Sequence, residues 1–81
     1  MSAPIFEGLD NYGKPKQQYA DEVFSLEGDD LVEKVSEAIW LSAYAGNNRR
    51  SDYHWWAEVC RVVCEMKDPD GELRLWRKAF K

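Results

Sequence analysis

Trp40 and Tyr44 stand four residues apart in a segment of helical period, so both rings project from one helix face. Glu33 and Glu37 fall on that face, and Asp29 and Asp30 carry acid toward its start. Such a set makes and breaks no bonds. It offers a broad apolar contact rimmed by carboxylates, the chemistry of a binding hot spot for a basic partner. Trp55, just beyond the following corner, is a candidate third anchor. In the plainer reading, residues 1–28 fold back over Trp40 and Tyr44 and bury them as a second layer.

A second constellation is cationic. Arg49 and Arg50 lie in the corner between two helical segments, just ahead of a helix start where free backbone N–H groups attract anions. With Arg74, Arg77 and Lys78, and Lys81 at the chain end, they form an alternative anion or nucleic-acid set. Two helices about a short loop resemble a helix-turn-helix, whose second helix would present Tyr53 and His54 to DNA. Against this, the second helix is nearly charge-balanced, and loop arginines equally serve as solvated charges or as partners for the acidic helix.

His54 has Glu58 one turn on, which would set its tautomer, and the polar stripe it joins predicts an exposed ring. It has no second histidine for company, and Cys60 and Cys64 form a C-x-x-x-C pair unlike zinc-ligand spacing. The expectation is two core cysteines and no metal. Neither a carboxylate dyad, nor a glycine-rich phosphate loop, nor a nucleophile–base pair is recognisable, so no enzyme activity and no cofactor are expected.

Helices must position these residues. Leu31, Val32, Val35, Ala38, Ile39, Ser42 and Ala45 share one face, predicting a helix near 30–45 with Asp30 and Glu33 as a capping box and Gly46–Asn47 as its stop. Trp56, Val59, Cys60, Val63 and Met66 predict a second near 52–67, capped by Ser51 or Asp52. Leu73, Trp76 and Phe80 suit a third near 72–80. Residues 1–28 read as an irregular N-terminal arm to a helical domain of 29–81, because Pro4, Gly8, Asn11–Gly13 and Pro15 break periodicity. Tyr19 to Leu26 suits a short helix or a strand. The fold class is mainly α. Its rival is α+β with a C-terminal hairpin about Asp68–Gly71, since D-P-D-G is a strong hairpin turn.

Composition narrows the setting. Eighty-one residues make one small domain, 44% hydrophobic and 14% aromatic, with more rings than so short a chain readily buries. The net charge of −4 is unevenly spread: nine acids against three lysines in residues 1–45, and six acids against eight Lys/Arg in 46–81. An acidic chain binds nucleic acid poorly without a dedicated basic patch, yet docks readily on a basic surface. That acidity also fits a plain solvated face. With no apolar signal region and no apolar run near membrane length, a cytoplasmic protein with reduced thiols and no membrane partner is expected.

The segment W-L-S-A-Y-A-G-N-N-R-R-S-D-Y-H-W, Trp40–Trp55, resembles one found in small uncharacterised phage and prophage proteins. The resemblance covers about a fifth of the chain, carries no catalytic residue, and implies helices on both sides of the segment. It also implies a setting in which small acidic single-domain proteins inhibit host machinery, defence systems of the CRISPR kind included. Joined to the aromatic and acidic face, it gives the expected function: stoichiometric inhibition of a host protein by contact. The alternatives are a nucleic-acid-binding regulator and a module whose rings seal a homodimer.

Overall fold

The computed structural model describes residues 2–80, so Lys81 of the basic tail lies outside the described residues. The chain is mainly helical, with α1 at Lys16–Ser25, α2 at Gly28–Tyr44, α3 at Asp52–Lys67 and α4 at Leu75–Ala79. An isolated bridge between Leu9 and Pro15 is the only extended pairing among the described residues.

The order of packing follows from where small apolar side chains recur. Helix α3 is central: Val59, Cys60, Val63 and Cys64 are all buried, and α1, α2 and α4 each pack against it. Helix α2 contributes Leu31, Val35 and Ala38, the i, i+4, i+7 stripe that its periodicity predicts. Its partner α3 runs antiparallel to it, since the start of α3 bonds to the end of α2 and its last residue, Lys67, lies 3.8 Å from Glu27, the residue that caps the start of α2. Leu75 and Ala79, one turn apart on α4, close the core between α2 and α3.

The arm predicted to be irregular carries a ten-residue helix, α1. Ala20 and Val23 of α1 are completely buried against α3, so this segment is part of the core rather than a cover on it. Its approach is locked by local polar chemistry. Asp10 Oδ1 accepts from the N–H groups of Tyr12 and Lys14, which folds the Asn11–Gly13 turn, with Gly13 at φ +86°. The Gln17 amide takes the Phe6 N–H and donates to the Pro4 carbonyl, pinning residues 4–6 along α1.

Two helix boundaries shift. Helix α2 begins at Gly28, whose φ of +56° turns the chain sharply out of α1, and Asp30 lies inside the first turn instead of capping it. Asp29 and Asp30 still favour that end through the helix dipole. At the other end, Ala45 caps α2 and Gly46 does not adopt a left-handed conformation. Ser51 does cap α3, its Oγ accepting from the Tyr53 N–H at 3.2 Å.

The hairpin alternative is not formed: α3 stays helical through Lys67, and Asp68 caps it with its N–H on the Cys64 carbonyl. The D-P-D-G stretch still turns, with Gly71 at φ +70° and the Asp68 carboxylate accepting from the Leu73 N–H. The final helix is shorter than the 72–80 expectation, because Arg74 takes a left-handed backbone (φ +54°) that starts α4 only at Leu75.

The molecule measures 34 × 28 × 18 Å. Its thin dimension is less than two helix diameters of about 10–12 Å each, so the core is narrow and filled by valine, alanine, cysteine and leucine. No aromatic ring belongs to the fully buried set. Phe6, Tyr19, Phe24, Trp55, Trp56 and Trp76 pack around its edge instead.

Candidate functional site

The outer face of α2 carries the site. Glu33, Glu37, Trp40 and Tyr44 fall within about 60° of arc at 100° per residue, with Asp29 and Asp30 flanking them toward the N-terminus. That arc points away from Leu31, Val35 and Ala38, which face α3. Trp40 is 69% exposed and Tyr44 80% exposed. Their rings are nearly parallel, 12° apart in plane and 6.4 Å between centroids. A shallow cleft of about 270 Å³ is lined by Trp40, Ala43 and Tyr44 alone.

Residues 2–28 therefore do not cover these rings. They are held elsewhere: α1 lies on α3, and the preceding loop docks at the start of α3. There the Asn11 N–H donates to both Asp52 carboxylate oxygens at 3.2 Å, and the Asn11 amide donates to the Arg50 carbonyl at 2.7 Å.

The four α2 carboxylates are exposed, and none has a basic group within 4.0 Å among the described residues. Lys34, the one base on α2, turns to the other side, 3.8 Å from Glu22 and 5.5 Å from the Tyr19 ring centre. The negative field over Trp40 and Tyr44 is thus left uncompensated.

Trp55 belongs to a different cluster. It meets Tyr19 edge-on at 5.4 Å and Trp56 at 6.3 Å, carries Lys16 over its ring, and its Nε1–H donates to Asp52 at 2.8 Å. Trp56 stacks on Tyr19 at 5.0 Å. These rings tie α1 to α3, and the grouping of Trp55 with Trp40 and Tyr44 is not realised.

His54 is the larger correction. Its ring is not on an open polar stripe but fastens the α2–α3 corner: Nε2 lies 3.0 Å from the Ala45 carbonyl and 2.8 Å from the Asn48 carbonyl, and Nδ1 lies 2.8 Å from Ser42 Oγ. Two carbonyls can only accept, so Nε2 bears the hydrogen and the loop, not Glu58, sets the tautomer. Glu58 instead holds Arg61, which also bonds Glu65. The Arg61 hydrogen bonds keep the Glu58 carboxyl below the usual glutamate range.

The basic candidates separate. Arg49 and Arg50 are exposed in the corner at the start of α3, with no carboxylate within 4.0 Å among the described residues. Arg74, Arg77 and Lys78 lie beyond its other end, on α4 and the residue before it. Lys78 borders a groove of about 740 Å³ whose apolar lining is Phe24, Leu31, Val32, Leu73 and Leu75, with Asp29 across from it. Sequence periodicity gives no hint of this groove, since residues of all four helices and of the loop before α4 build it.

Cys60 and Cys64 are free and buried. Burial pushes each thiol up to about 11, and Cys60 Sγ sits 3.8 Å from the Tyr19 hydroxyl, itself raised well above its ordinary range by burial. Both thiols are neutral and poorly nucleophilic at neutral pH. Among the described residues no three metal-ligating side chains come together, and no helix is long and apolar enough to cross a membrane.

No protein-family model, curated protein or solved structure matches this chain.

Proposed function

We propose that this chain is a small binding protein that inhibits a host protein by stoichiometric contact, with the outer face of α2 as its docking surface. The observation that carries the reading is the exposure of Trp40 and Tyr44 side by side on a face whose remaining residues are unpaired carboxylates. Large rings left in water are costly unless a partner removes them from it, and aromatic anchors dominate the energetics of such contacts. Exposed carboxylates around them favour a basic partner and speed its approach. The resemblance of Trp40–Trp55 to phage and prophage proteins supplies the setting, in which the target belongs to host machinery such as a defence system. His54 supports this reading indirectly, because a helix end fastened to its neighbour presents Tyr44 from a rigid base.

The test is capture from nuclease-treated bacterial lysate, comparing the wild-type chain with the Trp40→Ala/Tyr44→Ala variant. The expected result is one host protein at stoichiometric yield, bound by wild type, lost with the variant, and inhibited by an equimolar amount of the chain. Capture that disappears with nuclease, or that the double substitution leaves intact, would overturn the reading.

A further inference from the structure

We infer that Trp40, Tyr44, Glu33 and Glu37 together form a clamp for an arginine side chain of the partner, the two rings giving the surface it stacks on and the carboxylates drawing the guanidinium in. The inference rests on the binding role proposed for this face and names the group it receives. Three observations converge on it.

The rings are nearly parallel, 12° apart with centroids at 6.4 Å, within the range of a directly packed pair, and with the small Ala43 beside them they line a shallow open cleft that leaves both rings accessible. A flat group stacks on such exposed ring faces better than a branched aliphatic one packs on them. The faces of both rings are electron-rich, so a cation is preferred there over a neutral group of the same shape. Glu37, one turn from Trp40, and Glu33 beyond it are exposed and free of any basic partner among the described residues, while the one lysine of the helix is engaged with Glu22 and Tyr19.

Flat, cationic and able to bond a carboxylate in two places at once describes guanidinium. Ammonium satisfies only the charge. A phosphate-bearing ligand is disfavoured by the same carboxylates. The partner is therefore a protein segment that presents arginine, and the clamp accounts for selectivity that a plain hydrophobic patch would lack.

The experiment titrates the full-length chain with three short glycine–serine peptides that differ at one residue: arginine, lysine or citrulline, the last being a neutral near-isostere of arginine. Binding is followed by NMR at the Trp40 indole and Tyr44 ring resonances. The expected result is saturable shifts of both with the arginine peptide, about tenfold tighter than with citrulline, and lysine in between. Trp40→Ala abolishes the response, Trp40→Phe retains part of it, and Glu33→Gln/Glu37→Gln weakens it while reducing its salt dependence.

Arginine and citrulline peptides binding alike would overturn the clamp, as would shifts confined to other residues. Silence of all three peptides, while host-protein capture still depends on Trp40, would overturn the clamp and leave the binding role standing. A mass that rises with concentration and reverts in Trp40→Ala, again without peptide response, would replace the arginine segment with a second copy of this chain.

Discussion

His54 shows how much a single side chain can fix when its partners are backbone atoms. Its Nε2–H is shared by the carbonyls of Ala45 and Asn48 in the turn that leaves α2, while Nδ1 meets Ser42 in the last turn of that helix. With the hydrogen on Nε2, the serine hydroxyl donates to Nδ1, so both ring nitrogens are used. Replacing the ring removes a hydrogen bond from three groups at once. His54→Ala is expected to lower the unfolding free energy by about 1–3 kcal/mol in urea titration with an unchanged m-value, and Ser42→Ala by about 1 kcal/mol. A change below about 0.5 kcal/mol for His54→Ala would mean that water replaces the ring without loss. Periodicity cannot find this role. It groups His54 with the polar residues of α3, but the carbonyls that hold the ring lie six and nine residues back in a loop whose course no pattern encodes. Trp55 is misplaced by sequence for a similar reason: its rank as a large ring near the corner is legible, whereas its direction toward Tyr19 depends on where α1 lies. Trp40 and Tyr44 are legible because both they and the buried stripe opposite them sit on one long helix.

At the level of elements, long amphipathic segments are the readable ones. Seventeen residues of α2 and sixteen of α3 repeat their apolar stripe often enough to favour helix, although the D-P-D-G turn leaves a hairpin open for the end of α3 until the structure shows it helical through Lys67. Ser51 marks a start that the structure keeps. Helix α1 has the same kind of stripe for little more than one turn, Tyr19, Ala20, Val23 and Phe24, which a short strand accommodates as well. Its decisive residue is Ala20, too small to signal a core position, and Pro15 and two glycines ahead of it argue for loop. Yet α1 is where the division at residue 28 fails as a physical boundary. Removing residues 1–28 would expose the α3 side of the core, strip Tyr19 from Trp55 and Trp56, and leave a chain of roughly 50 residues with little left to bury. That truncation is expected to lose cooperative thermal unfolding and near-UV circular dichroism. In the full chain, Val23→Ala should cost about 2 kcal/mol, the loss of two buried methyls plus the cavity they leave. A truncated chain that melts as sharply as the whole would show residues 29–81 to be self-sufficient and α1 to be an accessory.

Across the whole molecule, charge is sorted by position along α3 rather than gathered into one basic surface. Arg49 and Arg50 stand at its start and Arg74, Arg77 and Lys78 beyond its end, separated by a helix about 24 Å long at 1.5 Å per residue. The exposed side of that helix carries Glu58 and Glu65, both bonded to its one arginine. The groove that Lys78 borders also holds Glu27 and Asp29. A duplex following both basic groups would have to pass these carboxylates, and the helix that a helix-turn-helix would insert into DNA is here the central one, packed against three others. With a net charge of −4 added to that geometry, the counterion release that drives non-specific binding has few phosphate contacts to draw on. The expected outcome is no mobility shift of a short DNA duplex at about 50 mM salt, and no change on replacing Arg49 and Arg50 with alanine. A shift that weakens steeply with salt and falls further in that double variant would reverse the assignment, moving the working surface from the aromatic face of α2 to the corner that His54 holds in place.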